Sequence, residues 1–178
     1  MPESQPLDVK IVPAGEGDLP EISRLAGVVW RAHYPGIITL EQIEYMLGRM
    51  YSPEMLREDI RVRGIRYDRL LVGNDFAGFA AYGPTEQPAV FKLHKIYLRP
   101  DCQGRGLGSR LLNHCAAEAA RAGAQRVILA VNKRNAKALA AYQRNGFVII
   151  DSVVVDIGGG FVMDDYILAK DVTRNFKI

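Results

Sequence analysis

Hydrophobic and polar positions change their period along the chain, and these changes predict the order of its elements. Alternation over residues 8–12 predicts a first strand. Three later stretches then carry apolar side chains every three or four positions, which indicates three amphipathic helices. We expect these helices to begin at Asp18, Thr39 and Ser52, because short polar side chains cap the free amides of a first helical turn.

Alternation returns after the third helical stretch. Residues 69–72 and 76–82 predict a hairpin across a Gly-Asn-Asp turn. Gly78 inside this hairpin indicates a bend or a sheet edge. Residues 92–98 predict the next strand, which Pro100 ends because proline cannot extend it.

The remaining pattern predicts two further helices and three strands. One helix follows a glycine-rich turn and stops near Gly123. The continuous apolar run at residues 127–131 predicts a short strand buried on both faces. A helix at 135–145 and a strand pair at 147–155 and 161–168 complete the order, which is typical of an α/β domain with a mixed sheet.

Composition limits the classes of protein to which this chain can belong. Its 178 residues are 48% hydrophobic and 24% charged, as expected for one globular domain over residues 1–178. The net charge of +3 is too small to indicate nucleic-acid binding. Cys102 and Cys115 lack metal-site spacing, so we expect reduced thiols and no metal. Because no secretion signal or long apolar run is evident, we expect a cytoplasmic protein that does not bind membranes.

The stretch Gln103–Gly108 has three glycines within five positions at the start of a helix. Glycine lets a backbone approach a ligand closely, and the free amides of a first helical turn favour an anion. The glycine spacing is neither that of a dinucleotide fingerprint nor that of a P-loop, and no acidic residue follows at the expected distance. The turn therefore indicates a different phosphate-binding site.

Two motifs carry a resemblance to a known family. Gln103, Gly106 and Gly108 form Q-x-x-G-x-G, and Asn135–Phe147 reads N-x-x-A-x-x-x-Y-x-x-x-G-F. The pair resembles the GCN5-related N-acetyltransferases (GNAT). This resemblance implies a mostly antiparallel sheet of about seven strands, with helices on both faces and splayed central strands. It also implies acetyl-CoA as cofactor, with these candidate contacts: Ile96, Tyr97, Leu98, Gln103, Gly104, Arg105, Gly106, Leu107, Gly108, Ser109, Asn135 and Lys137.

The resemblance makes Tyr142 the general acid for the departing thiolate. A phenol with a pKa near 10 stays protonated at neutral pH and is close to matched to a thiol. A core tyrosine packed on Phe147 is the alternative. The motif strand has no carboxylate, so His94 is the candidate general base. A structural histidine, with water removing the proton, is the alternative there.

The acceptor is expected to be a small-molecule or peptide amine bound by Trp30, Tyr34 and Asp165, since a carboxylate attracts a cationic amine. A solvent-facing acid near a strand edge is the alternative for Asp165. The segments HYPGII and GGGFVMDDY resemble the polyamine-acetylating, PaiA-type branch of the family. We therefore expect direct attack of a primary amine on acetyl-CoA in a ternary complex, by a monomer or a homodimer. A catalytically silent acyl-CoA sensor of the same fold is the alternative, and a nucleotide-binding module is disfavoured by the glycine spacing.

Overall fold

The computed structural model describes residues 8–173, which form seven strands and five helices. No helix within this range is both long and apolar enough to cross a bilayer. The helices are α1 (Leu19–His33), α2 (Leu40–Met50), α3 (Pro53–Arg61), α4 (Leu107–Arg121) and α5 (Ala136–Arg144). The strands are β1 (Val9–Pro13), β2 (Arg66–Val72), β3 (Asp75–Pro84), β4 (Val90–Leu98), β5 (Arg126–Asn132), β6 (Val148–Gly158) and β7 (Phe161–Asp171).

All seven strands form one sheet in the order β1-β2-β3-β4-β5-β7-β6. Only β4 and β5 are parallel, so the predicted mixed and mostly antiparallel sheet is confirmed. These two central strands pair only from Val90 to Lys92 and from Arg126 to Ile128. Beyond those residues they diverge, as the predicted splay requires.

Each face of the sheet carries its own hydrophobic core. Helices α4 and α5 cover one face, where Leu111 and Phe147 are fully buried. Helices α1 to α3 cover the other face, where Ile22 and Leu56 are fully buried. The prediction of helices on both faces is therefore confirmed.

A β-bulge at His94 changes which face the side chains of β4 occupy. Tyr82 of β3 pairs with Leu93, whereas Ala81 pairs with Lys95, so His94 has no partner in β3. Leu93 consequently packs in the α4–α5 core, whereas Tyr97 packs on the α1–α3 side. Simple alternation would place these two residues on one face.

Most predicted helix starts and stops are confirmed. The Thr39 hydroxyl accepts a hydrogen bond from the Gln42 amide, and the Ser52 hydroxyl accepts one from the Met55 amide. Gly123 follows the end of α4 with a φ of 95°, as its predicted role at the C-terminus requires.

Two local predictions were wrong. Asp18 does not cap α1; its carboxylate accepts the Gly15 amide in a short 3-10 turn before that helix. Strand β5 is not buried on both faces, because Ile128 and Ala130 are only half-buried.

Gly78 lies at a bend and not at a sheet edge, the two positions predicted for it. Leu70 pairs with Gly78 and Leu71 with Phe76, so a β-bulge at Ala77 bends β3 beside it. An added Cβ at Gly78 would come within 2.6 Å of the Tyr97 carbonyl oxygen.

A buried ion pair holds α3 against the sheet. The Lys95 ammonium donates to Asp59 Oδ2 and to the Tyr67 hydroxyl, both at 2.7 Å. The Tyr67 hydroxyl in turn donates to the same carboxylate oxygen at 2.6 Å. Burial lowers the pKa of Lys95, whereas its contact with Asp59 opposes that shift. The pair is therefore compensated only while both charges are present.

We expect Asp59→Leu alone to be more destabilising than Asp59→Leu combined with Lys95→Met. Removing one member of a buried ion pair leaves an uncompensated charge and costs about 3–5 kcal/mol, whereas replacing both charges by apolar groups is often close to neutral. Urea denaturation of both variants measures this difference. Arg61→Met, which breaks an exposed contact with Glu16, is the control and should change little. The two losses in free energy of unfolding measured for Asp59→Leu and for Lys95→Met can be summed. A double variant that loses as much as this sum would contradict the account.

Candidate functional site

A cavity of about 750 Å³ opens where β4 and β5 diverge. We call one part the loop end, which is formed by Gln103–Ser109 and by α5. We call the other part the helical end, which is formed by α1, α2, α3, the residues of β4 from Lys92 to Lys95, and β7. All the predicted site residues line this cavity except Arg105 and Leu107.

The loop end presents a row of free backbone amides. The N–H groups from Gly104 to Ser109 donate to no other residue in the range 8–173, and no side chain caps α4. These amides lie at the positive end of a helix of 15 residues. Free amide donors at such a position suit a multiply charged anion such as a pyrophosphate.

The three glycines of this loop have different reasons to be glycine. Gly104 and Gly106 have φ values of 75° and 74°, which other residues rarely adopt. Gly108 lies in the first turn of α4, and a Cβ there would meet only Leu98 Cδ1, at an ordinary 3.5 Å. The fold therefore tolerates a side chain at Gly108, and close approach of a ligand is the remaining reason for glycine.

Polar side chains connect the loop to α5. Lys137 donates to the Gln103 side chain at 2.7 Å, and Gln103 donates to the Leu98 carbonyl at 3.3 Å. Asn145 donates to the Ser109 hydroxyl at 3.0 Å. These contacts fix the width of the loop end.

Leu107 and Arg105 are the two predicted residues that do not line the cavity. The Leu107 side chain is buried in the α4–α5 core, so only its backbone amide can face a ligand. The Arg105 side chain is exposed and forms no ion pair within the described range.

Asn135 joins the two ends of the cavity. Its side-chain oxygen accepts the Ala138 amide and so caps α5, and it also lies 2.9 Å from His33 Nε2. An amide oxygen only accepts, so His33 must carry its hydrogen on Nε2 in this contact. The contact links α1 to α5 across the opening between the strands.

Aromatic rings form the wall of the helical end. Trp30 stacks on Tyr34 with ring centroids 4.3 Å apart and meets Tyr51 edge-on at 5.3 Å. The Tyr51 hydroxyl donates to the Tyr97 hydroxyl at 3.0 Å. The Trp30 indole N–H is buried and has no partner among the described residues. This wall therefore offers mainly apolar surface, which suits an uncharged body of a ligand.

Tyr142 lies between the two ends. Its ring packs edge-on against Phe147 with centroids 6.1 Å apart, so it contributes to the core as the alternative reading expected. Its hydroxyl forms no hydrogen bond with another described residue, yet it is not among the polar atoms sealed from solvent. Burial, with a smaller contribution from Tyr34, raises the pKa of Tyr142. The phenol therefore stays protonated and free to donate into the cavity.

His94 lies at the bulge of β4, exposed at the cavity wall. Partial loss of water and the nearby Lys92 and Lys95 charges lower its pKa to about 4. The ring is therefore neutral at pH 7, with a lone pair available, but it is a weak base.

Asp165 carries an unpaired carboxylate at the helical end. The residue is 4% exposed, lines the cavity, and forms no hydrogen bond or ion pair through its side chain with another described residue. Burial and the neighbouring Asp164 raise its pKa to about 6, although Lys92 and Lys133 oppose that shift. The preceding Asp164 faces solvent and pairs with Lys133, so the two aspartates have separate environments.

Several lining residues were not predicted from the sequence. Tyr51, Asp59, Lys92 and Lys95 belong to elements that were predicted, but no local pattern marks them as site residues. The bulge at His94 could not be predicted by counting alternate positions, and it places Lys95 beside α3.

Comparisons with known proteins agree with this geometry. A model of the acetyltransferase (GNAT) family matches residues 38–147. Spermidine N(1)-acetyltransferase of Thermoplasma acidophilum is 27% identical over 150 residues, which cover 83% of this chain and 90% of that protein. The L-amino acid N-acyltransferase MnaT of Escherichia coli is 32% identical over 75 residues, which cover 40% of this chain and 44% of that protein.

One solved structure shares the fold over nearly its whole length. It is the PaiA N-acetyltransferase of Thermoplasma acidophilum in complex with coenzyme A, with a TM-score of 0.79 and 24% identity. The alignment covers 93% of this chain and 99% of that one. The splayed mixed sheet described above is therefore a fold with solved examples.

We expect Asp165→Asn to stabilise the protein at pH 7.5 and to change its stability little at pH 4. The folded-state pKa of about 6 lies above the ordinary 3.8. Between these values the folded state holds more protons, so stability falls as the pH rises through that window, by up to about 3 kcal/mol. Urea denaturation at the two pH values measures the effect.

Asp164→Asn is the matched control for this prediction, because its carboxylate is exposed. It removes only the smaller of the two causes that raise the pKa of Asp165, so it should stabilise the protein at pH 7.5 by much less than Asp165→Asn does. A destabilised Asp165→Asn at pH 7.5 would show that the carboxylate has a partner that stabilises the fold.

Proposed function

Since this chain belongs to the acetyltransferase (GNAT) family and is an N-acetyltransferase that uses acetyl-CoA, we propose that it acetylates a primary amine by direct attack in a ternary complex. In this proposal Tyr142 is the general acid. The observation that carries the proposal is one cavity, which joins the free amides of Gly104, Gly106, Gly108 and Ser109 at the loop end to an aromatic wall at the helical end. Two ligands can therefore meet within it.

The residues at the loop end fit coenzyme A. The amides from Gly104 to Ser109 would hold the pyrophosphate, and Lys137 and Arg144 line the same end with positive charge. Beyond Lys92 the β4 edge that faces β5 has no strand partner, so Ile96–Leu98 would hydrogen-bond the amide-containing arm as an added strand does. When bound, acetyl-CoA supplies an acetyl thioester to the middle of the cavity.

Tyr142 would protonate the departing sulfur. Its raised pKa ensures that the proton is present over the whole neutral range. Transfer to a thiolate of pKa near 8.5 is uphill by about 2 kcal/mol or more for a phenol at or above pKa 10. The proton therefore moves as the carbon–sulfur bond breaks and negative charge develops on the sulfur, and a proton from water then restores the phenol of Tyr142.

The helical end would receive the amine. Trp30 and Tyr34 provide the apolar wall, and the Asp165 carboxylate attracts the ammonium form. His94, neutral at pH 7, would accept a hydrogen bond from the amine and orient its lone pair. Because His94 is a weak base, the proton would leave to water.

The named relatives act on different amines, a polyamine in one and an amino acid in the other. What they share supports N-acylation of an amine as the function of this chain. The silent acyl-CoA sensor remains a second candidate, and only turnover distinguishes it from the enzyme.

We expect Gly108→Ala to weaken acetyl-CoA binding without loss of stability. The added Cβ makes only an ordinary contact in the protein and favours the helix by up to about 1 kcal/mol, but it occupies space beside the free amides. Saturating acetyl-CoA at 100 times its Kd should stabilise the parent by about 2.7 kcal/mol, and the variant by less at the same concentration. Thermal unfolding with and without ligand measures both quantities.

Gly48→Ala is the matched control for Gly108→Ala. Gly48 lies in the exposed part of α2, and nothing lies within 4 Å of its ideal Cβ. That variant should gain helix stability and keep the full ligand effect. An unchanged ligand effect in Gly108→Ala would show that the loop does not bind the pyrophosphate.

We expect Tyr142→Phe to lower kcat by about 10²–10⁴-fold with little change in acetyl-CoA binding. The substitution keeps the ring packed on Phe147 and removes only the hydroxyl, which has no partner in the described part of the chain. Release of free CoA thiol measures kcat, and thermal unfolding with and without acetyl-CoA measures the binding of the cofactor. A kcat within threefold of the parent, with a lower Tm, would instead establish Tyr142 as a core residue.

A further inference from the structure

Two unpaired charges of opposite sign line the helical end. Asp165 of β7 is 4% exposed and its carboxylate has no side-chain partner among residues 8–173. Lys92 of β4 is half-buried, lines the same cavity, and likewise forms no hydrogen bond or ion pair in that range. Lys92 is close enough to Asp165 to oppose the rise in its pKa. A carboxylate buried without a partner is costly, so Asp165 points to a cationic ligand group. The half-buried Lys92 faces the same cavity and is free to bind an anionic group.

The other cations of this end already have partners. Lys95 and Arg63 both contact Asp59, at 2.7 and 3.2 Å. Arg49 donates to the Tyr45 hydroxyl at 2.7 Å. Among the described residues that line the helical end, Lys92 is therefore the cation without a partner, and Asp165 is the carboxylate without a partner.

The charge balance of this end opposes a polycation. Four cations line it, Arg49, Arg63, Lys92 and Lys95, against the carboxylates of Asp59 and Asp165. His94 adds no charge at pH 7. A polyamine with several ammonium groups would meet one free carboxylate beside an excess of positive charge, and like charges at short range repel strongly where water is scarce.

Resting on the proposed function, we propose that the acceptor is an amine that also carries a carboxylate, such as an amino acid, and that Lys92 binds this carboxylate while Asp165 lies beside the amine. Both free charges would then be neutralised by one ligand.

The walls between these charges indicate the body of the acceptor. Met46, Met50 and Met55 line the helical end together with Trp30. Methionine side chains are flexible and adapt to apolar groups of irregular shape. The acceptor therefore has an apolar side chain, and leucine, methionine and phenylalanine are suitable probes.

The test compares each amino acid with its own primary amide and with spermidine, using release of free CoA thiol. We expect the parent protein to favour L-methionine over L-methioninamide by at least about tenfold in kcat/KM, as expected for a hydrogen bond to a charged group. The amide has the less basic amine and so more free base at pH 8. Amine ionisation therefore cannot produce the expected preference. Spermidine should be poorer than L-methionine.

Lys92→Met removes the charge and keeps most of the side chain, so it should reduce the preference for the acid to near unity while acetyl-CoA still stabilises the fold. Lys92→Glu should increase kcat/KM for spermidine. Lys10→Met, an exposed lysine on β1 that pairs with Asp8, is the matched control and should keep the parent preference.

The kcat/KM values of the parent protein for the different acceptors test the inference even if a variant does not fold. Spermidine as a better acceptor than every amino acid, or an acid-to-amide ratio near unity, overturns this inference and leaves the proposed function in place. An unchanged ratio in a folded Lys92→Met also overturns it. No transfer to any acceptor by protein that binds acetyl-CoA overturns the proposed function, and this inference with it.

Discussion

The divergence of β4 and β5 is the constraint on which the rest of this structure depends. The two strands pair over only three residues each, and then their backbones separate within the middle of a seven-stranded sheet. A sheet interior normally leaves no unpaired strand edge, because unsatisfied backbone groups are costly. Here the open edge lines a cavity between helices from both faces, so a ligand can pair with it. The sheet supplies a rigid wall, and the proposed binding site lies where the backbone hydrogen bonding between β4 and β5 stops.

Three buried carboxylates differ in whether the fold gives them a partner. Asp59 is neutralised by Lys95 and holds α3 in place. Asp68, on the other face, accepts from the Tyr82 hydroxyl and contacts His114, both at 2.7 Å. Asp165 has no such partner in the described structure, and burial raises its pKa to about 6. Only the unpaired carboxylate lies free beside the space for a ligand, which is where a cost in stability can serve function.

The two ends of the cavity are coupled through short polar contacts and not through the sheet. Asn135 caps α5 and contacts His33 at the end of α1, so it spans the opening at 2.9 Å. Lys137 and Gln103 connect α5 to the glycine loop in the same way. Since α5 also carries Tyr142, one helix positions the proposed acid relative to both ligands. This arrangement explains why the second sequence motif lies on α5 and not on a strand.

The sequence alone determined the elements, the glycine loop and the residues of α5 that face the cavity. These depend on local properties: apolar period, capping residues, glycine conformation and the seven-residue spacing of Asn135 and Tyr142 on one helix. The bulge at His94, the partners of Lys95 and the isolation of Asp165 were decided by the tertiary structure. Each of these features depends on how the strands pair and on which helix packs against them. Such contacts join residues far apart in the chain, as Asp59 and Lys95 show. Burial and charge pairing arise only from such contacts, so the chemistry of the helical end could not be read from the sequence pattern.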